Sequence, residues 1–274
     1  MGFKELLKKE LKGKIKNLDL LPGSYQILGD ICLIKLKDDL LKNKKDIGKA
    51  MVKLLPYVKT ICLIKKVEGE FRQPEVEVIA GNGTETVHKE SGCLFKLDVS
   101  EIMWSKGNQE ERRRLVKQIR NGEVIVDMFA GVGYWSVILA KNKNVDIYAI
   151  ELNPKSYSYL KDNVKLNKVD SKVKTILGDC RKEVVKLKAD RIIMGYFPGT
   201  IEYLEFALKA CKDDCWIHYH DICEKGNENN LLDEIKEILF VNNFRLVENK
   251  FKIVKKYAPG INHIVFDLKV KRKL

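Results

Sequence analysis

Three short stretches carry side chains suited to binding a small polar ligand, and each follows a hydrophobic run. The first is Asp127-Met128-Phe129-Ala130-Gly131-Val132-Gly133-Tyr134. Its two glycines let the backbone approach a ligand closely and make a tight turn into a helix. The second ends at Glu151, 18 residues past Gly133, where an acid accepts both hydroxyls of a ribose. The third is Gly178-Asp179-Cys180, in which an acid beside a small residue suits the amino group of an adenine. Any one of these acids also reads as a helix N-cap; three at successive strand ends read as a binding site. A nicotinamide fingerprint, Gly-x-Gly-x-x-Gly, is not met, because Ser136 occupies the third glycine's place.

These positions need a frame that brings them together. The pattern predicts a helix over 110–120, then alternating strands and helices: strand 123–128, helix from 134, strand 145–150, helix 155–166, strand 173–176, helix 181–187, strand 191–196 and helix 201–211. Strand 215–221, helix 230–240 and two final strands, 251–257 and 263–270, complete the series. Repeated βα units of this length predict an α/β fold, a doubly wound sheet with helices on both faces. Ligands of such sheets bind beyond the carboxyl ends of the strands, where the three acids fall. The preceding region differs. A basic amphipathic helix over 3–17, a strand over 30–36, a helix over 45–55 and strands at 60–65, 75–79 and 92–97 predict a small α+β domain. The expected division is 1–100 and 101–274.

Asp127, the glycine pair, Glu151 and Asp179 together resemble the class I S-adenosylmethionine (AdoMet) enzymes, with a Rossmann-like sheet. The resemblance narrows elsewhere. Val99-Ser100-Glu101-Ile102-Met103-Trp104-Ser105, followed by Glu111-Arg112, resembles a segment of the tRNA guanine-37 N1-methyltransferase superfamily, as do Gly69-Glu70-Phe71-Arg72 and His88-Lys89-Glu90-Ser91-Gly92. Methyltransferases of that superfamily carry an Asn-Leu-Pro or Asn-Pro-Pro motif after the fourth strand. This chain has Met194-Gly195-Tyr196-Phe197-Pro198-Gly199. Gly195-Tyr196, His218-Tyr219-His220 and Tyr257-Ala258-Pro259-Gly260 resemble instead the wybutosine-pathway branch, the tRNA 4-demethylwyosine aminocarboxypropyltransferases. The retained Pro198 departs from that branch toward the other. The resemblance spans roughly 20–270, and the superfamily's extra N-terminal domain is expected to be absent or reduced to a short helix.

The resemblance implies transfer of the 3-amino-3-carboxypropyl group of AdoMet to C7 of 4-demethylwyosine at position 37 of phenylalanine tRNA, releasing methylthioadenosine. Two rivals are a tRNA guanine-37 N1-methyltransferase and a non-catalytic RNA-binding protein that keeps an AdoMet fold. Phe129, Ala130, Gly131, Gly133, Glu151, Asp179 and Cys180 are expected to line the donor site with Asp127. Ser105 and Arg112 would hold the methionine end; as one of three consecutive arginines, Arg112 reads alternatively as solvated or phosphate-bound. Glu111 matches the methyltransferases' general base, or complements a helix dipole. Gly195 would leave space for the transferred chain, and Tyr196 would stack on the tricyclic base or sit in the core. His218 and His220 read as structural.

Composition agrees with a folded partner of a polyanion. Of 274 residues, 45% are hydrophobic, which excludes global disorder, and the formal charge of +13 points to nucleic acid. A lysine-rich surface with no specific partner is the alternative. Residues 1–66 hold 16 Lys and 7 acids, and Lys8, Lys9, Lys12, Lys14 and Lys16 are expected to grip a tRNA backbone. No run reaches the length of a membrane span, and the first residues lack a leader's apolar run, so a cytoplasmic protein is expected; a monomer is expected separately. The seven cysteines read as buried thiols. Cys215, His218, His220 and Cys223 hint at zinc, but strand alternation sends Cys215 and His218 to opposite faces, and no metal is expected.

Overall fold

The computed structural model describes residues 2–69 and 73–273, without the side chains of Val67 and Glu68. Three residues of the predicted Gly69–Arg72 motif, Glu70, Phe71 and Arg72, lie outside the described residues. The chain forms two compact units, 1–106 and 107–274.

In the first unit, α1 (Phe3–Leu11), β1 (Gln26–Leu28), β2 (Ile31–Ile34), α2 (Asp38–Leu41), α3 (Lys44–Leu54), β3 (Thr60–Glu68) and β4 (Gln73–Ala80) are followed by a hairpin of β5 (Glu85–Glu90) and β6 (Cys93–Asp98). The sheet order is β1-β2-β3-β4; the β2–β3 pair is parallel and the β1–β2 and β3–β4 pairs are antiparallel. Leu7, Leu11 and Ile15 share a core with Ile47, Met51 and Ile61. The first helix is shorter than predicted because Gly13 takes φ +79°, a left-handed conformation that ends helices. Lys9, Lys12, Lys14 and Lys16 are exposed, whereas Lys8 is tied to Glu5 at 3.2 Å and Asp19 at 2.8 Å. The sequence pattern misses β1, α2 and β5. Two are under five residues long, too short for a period to show, and β5 alternates mostly polar residues.

The second unit holds α4 (Gln109–Gln118), β7 (Val124–Asp127), α5 (Ser136–Asn142), β8 (Asp146–Glu151), α6 (Pro154–Leu166), β9 (Val173–Leu177), α7 (Cys180–Glu183), β10 (Ala189–Met194), α8 (Leu204–Ala210), β11 (Cys211–Glu224), α9 (Glu228–Val241), β12 (Phe244–Ala258) and β13 (Ile261–Arg272). The sheet order is β12-β13-β11-β10-β7-β8-β9. β11, β10, β7, β8 and β9 run parallel, and β13 is antiparallel to both neighbours. The order reverses beside β7, where β8 lies on one side and β10 on the other. This is the doubly wound, Rossmann-like sheet the alternation predicts, and its switch point brings three strand ends together.

Both faces are covered. Val126, Ile192, Ile217 and Ile264 join one core with Leu204, Leu208, Ile235 and Leu239 of α8 and α9. Their neighbours along the strands point to the other face, so His218 and Asp267 meet Arg114 and Gln118 of α4.

Candidate active site

The glycine turn after β7 is fixed by its backbone. Gly131 and Gly133 have φ +57° and +97°. A Cβ on Gly131 would fall 2.4 Å from the Tyr134 ring, and one on Gly133 would fall 2.6 Å from Val137 Cγ2. Asp127 lies beneath this turn. It is fully buried, accepting from the Ser136 hydroxyl at 2.6 Å and more distantly from the Phe129 N–H at 3.4 Å. Burial pushes its carboxyl up to about 7, against the opposing hydrogen bond from Ser136. Asp127 therefore shapes the loop from below.

Glu151 closes the turn from the neighbouring strand. Its Oε2 accepts the Gly131 N–H at 2.7 Å and its Oε1 the Asn153 N–H at 2.8 Å. Burial raises this carboxyl, and the backbone N–H groups of Asn153, Gly131 and Leu152 oppose the rise. A carboxylate has about four acceptor positions, so capacity remains for a ribose hydroxyl. Asn153 caps α6 in the same turn, accepting from the Lys155 N–H at 3.0 Å.

At the third strand end, Asp179 caps α7 through the Arg181 N–H at 2.9 Å, and its oxygens also take the Arg181 guanidinium at 2.7–3.0 Å. That guanidinium holds the carboxyl below its ordinary value. The capping reading is thus realised at Asp179, and an adenine amino group would share it with Arg181. Cys180 is buried, with its thiol pushed up to about 12.

Aromatic rings wall the space beside these acids. Phe129 stacks on Tyr196 at 5.0 Å and 21°, and Tyr203 meets Phe129 edge-on at 5.0 Å. The Arg181 guanidinium lies 5.7 Å from the Tyr203 ring. The turn after β10 is held by Asp221 at the end region of β11, which accepts from the Gly199 N–H at 3.3 Å, the Thr200 N–H at 3.1 Å and the Tyr219 hydroxyl at 2.8 Å. Thr200 in turn donates to the Tyr196 carbonyl. The space expected at Gly195 is not open, because the Trp135 indole occupies it. A carboxylate with spare acceptor capacity, a glycine turn and flat apolar rings would suit an adenosine-containing ligand.

Arg112 is 2% exposed, and its guanidinium lies 5.9 Å from the Tyr134 ring. That burial removes the reading of Arg112 as a solvated or phosphate-bound arginine. Glu111, in the first turn of α4, is 1% exposed and is gripped through both oxygens by Arg114 at 2.5–2.9 Å, with Lys252 at 3.6 Å. It would have to leave Arg114 to take a proton. Arg114 is shared with Asp267, which also binds Gln118 and, at 2.6 Å, His218 Nδ1. Burial works to raise the Asp267 carboxyl, but the hydrogen bonds from Arg114, His218 and Gln118 hold it well below the carboxylate range. Burial lowers His218, so a neutral ring donates from Nδ1 to Asp267 and accepts at Nε2 from Arg191 at 2.6 Å. Arg191 ends this chain on Glu123 at 2.6 Å. His220 faces His263 at 3.2 Å. Among the described residues, no group of three His, Cys, Asp or Glu is placed to hold a metal ion. Ser105 belongs to the first unit, after Trp104, whose ring packs on His88 and Phe95 at 4.9 and 5.1 Å.

The structure thus brings together Asp127, Phe129, Ala130, Gly131, Gly133, Glu151 and Tyr196. Sequence reading missed Trp135, Tyr203 and Asp221. Asp221 was findable by the rule that located the other acids, since it too lies near a strand's carboxyl end. Tyr203 offers no such signal.

A sheet of this order, with these acids at its switch point, defines a class I AdoMet-type transferase domain. The chain belongs to the TRM5/TYW2 family: residues 86–249 match the TRM5/TYW2 methyltransferase domain and residues 3–84 the TYW2 N-terminal domain. It is 41% identical over 252 residues to the tRNA(Phe) (4-demethylwyosine(37)-C(7)) aminocarboxypropyltransferase of Methanocaldococcus jannaschii, covering 90% of this chain and 98% of that one. It is 38% identical to the tRNA (guanine(37)-N(1))-methyltransferase Trm5b of Pyrococcus abyssi, covering 91% and 76%. The structure of Pyrococcus horikoshii TYW2 in complex with MeSAdo superposes with a TM-score of 0.87 at 32% identity, covering 98% and 99%.

Proposed function

We propose that this chain transfers the 3-amino-3-carboxypropyl group of AdoMet to C7 of 4-demethylwyosine at position 37 of phenylalanine tRNA, as a cytoplasmic monomer. The observation that carries this reading is the N-terminal match: residues 3–84 fit the domain named for TYW2, beside the 41% identity to an aminocarboxypropyltransferase. MeSAdo, named with the related structure, is what AdoMet becomes on losing that group. C7 forms a bond to the γ-carbon, the C–S electron pair returns to sulfur, and C7 loses its proton.

The chain's own part is orientation, worth roughly 7–11 kcal/mol in well-arranged systems. Glu151 and the Gly131–Gly133 turn hold the adenosine end. Phe129 and Tyr196 supply flat faces. Arg112 takes the methionine end. Glu111 receives the C7 proton only once released from Arg114. The relative Trm5b keeps methyl transfer as the second reading. Incubation with AdoMet and suitable tRNA decides: methylthioadenosine supports the proposal, S-adenosylhomocysteine the methyltransferase. A protein that binds AdoMet and tRNA but yields neither is an RNA-binding relative.

A further inference from the structure

We infer that the tip of the β12–β13 hairpin, with the turn after β11, is a docking surface for the unpaired loop of the RNA substrate. β12 and β11 are both antiparallel to β13, so the carboxyl end of β12 stands at the same end of the sheet as Met194 and the 195–200 turn. Two contacts fix the tip there. The Lys225 N–H donates to the Gly260 carbonyl at 2.9 Å, joining the turn after β11 to the hairpin. The Tyr257 ring meets Phe197 edge-on at 5.9 Å, joining the hairpin to the turn after β10.

The tip presents chemistry that the donor site does not use. Tyr257 is 44% exposed despite its contact with Phe197. Lys225 and Lys256 are exposed, and neither has an acidic partner among the described residues. The nearby acids are engaged by local partners rather than by these lysines: Glu224 accepts from Asn227 at 3.2 Å, and Glu228 from the Gly226 N–H at 2.9 Å. Farther along the ribbon, Lys252 is paired with Glu110 at 2.9 Å and Lys250 with Glu248 at 2.8 Å. The tip therefore offers two unpaired ammonium groups and a ring. Single-stranded RNA matches that set, since its phosphates seek cations and its unstacked bases seek aromatic faces. The surface lies beside Tyr196, where the target base is placed, so the flanking nucleotides of the loop would reach it.

This inference rests on the tRNA reading, and its test separates the two. A phenylalanine tRNA transcript is titrated with the full chain at several salt concentrations, alongside Lys225→Glu/Lys256→Glu and Tyr257→Ala. AdoMet titration of each variant checks that the donor site is intact. The double charge reversal is expected to weaken tRNA binding at least about tenfold. It should also shallow the slope of log affinity against log salt by about 1.4–1.8, since two phosphates are no longer neutralised. Tyr257→Ala is expected to weaken binding about five- to hundredfold with the slope kept. Wild-type affinity and slope in both variants would overturn the docking surface. A wild-type chain that binds tRNA but releases no methylthioadenosine would sink the transfer reading, while the binding comparison still decides the surface.

Discussion

The indole of Trp135 stands where a side chain at position 195 would go: a Cβ on Gly195 would lie 2.8 Å from Trp135 Nε1. Trp135 is 5% exposed and packs against His220, ring centroids 5.3 Å apart, so it has little room to yield. Gly195→Asn is expected to overpack this contact at a cost of about 1–3 kcal/mol, displacing the turn that carries Tyr196. Single-turnover transfer should fall at least about tenfold, with a smaller change in AdoMet affinity by calorimetry. Adding Trp135→Phe should restore part of the loss. Transfer at the wild-type rate in Gly195→Asn would take this turn out of the acceptor side.

Glu151 accepts the Gly131 and Asn153 N–H groups and is proposed to accept the donor's ribose as well. Glu151→Ala leaves the Gly131 N–H without its partner and removes the ribose acceptor. AdoMet binding is expected to weaken by about 1.5–3 kcal/mol, with Glu151→Gln intermediate. Unchanged calorimetric affinity in a folded Glu151→Ala chain would remove Glu151 from the donor site.

Stability should depend on pH through groups of opposite sign. Burial pushes His220 down to about 3 from 6.5, so the unfolded chain binds the extra proton between these values. Stability therefore rises with pH across that window, and His218, also lowered by burial, has the same sign. Asp267 adds stability above 3.8 that is lost at lower pH. Asp127, raised to about 7 by burial, acts in reverse: its contribution is lost as pH rises from 3.8 to 7. His220→Phe is expected to flatten the urea-denaturation profile between pH 4 and 6 by about 1.4 kcal/mol per pH unit. Asp127→Asn should steepen the rise between pH 5 and 7. A His220→Phe profile parallel to wild type would mean that His220 protonates in the folded chain.

The N-terminal lysines are best tested by charge reversal. Deleting residues 2–20 would remove Leu7, Leu11 and Ile15, each at most 5% exposed, and with them part of the first unit's core. Lys12→Glu/Lys14→Glu/Lys16→Glu keeps that core. It is expected to weaken tRNA binding and shallow the salt slope, by about 0.7–0.9 for each phosphate no longer neutralised. Nitrocellulose filter binding at 50–200 mM salt reads both. A slope equal to wild type would leave these lysines merely solvated.

The sheet, the glycine turn and the acids beyond it are legible in the amino-acid order. A strand end followed by Asp127-x-x-x-Gly131-x-Gly133, and acids at the next two strand ends, are local signals: each depends on residues within one βα unit. Periodicity found the longer helices of the second unit, such as Pro154–Leu166 and Glu228–Val241, because their buried faces repeat over several turns, but not the one-turn helix at Asp38–Leu41. What fills the space at Gly195 is settled only by the folded chain, because Trp135 arrives from 60 positions earlier. Folding likewise sets Arg114 and Gln118 against Asp267, from 153 and 149 residues away. Such partners are chosen by the packing of β13 against α4, and packing joins residues whose separation in sequence carries no period to read.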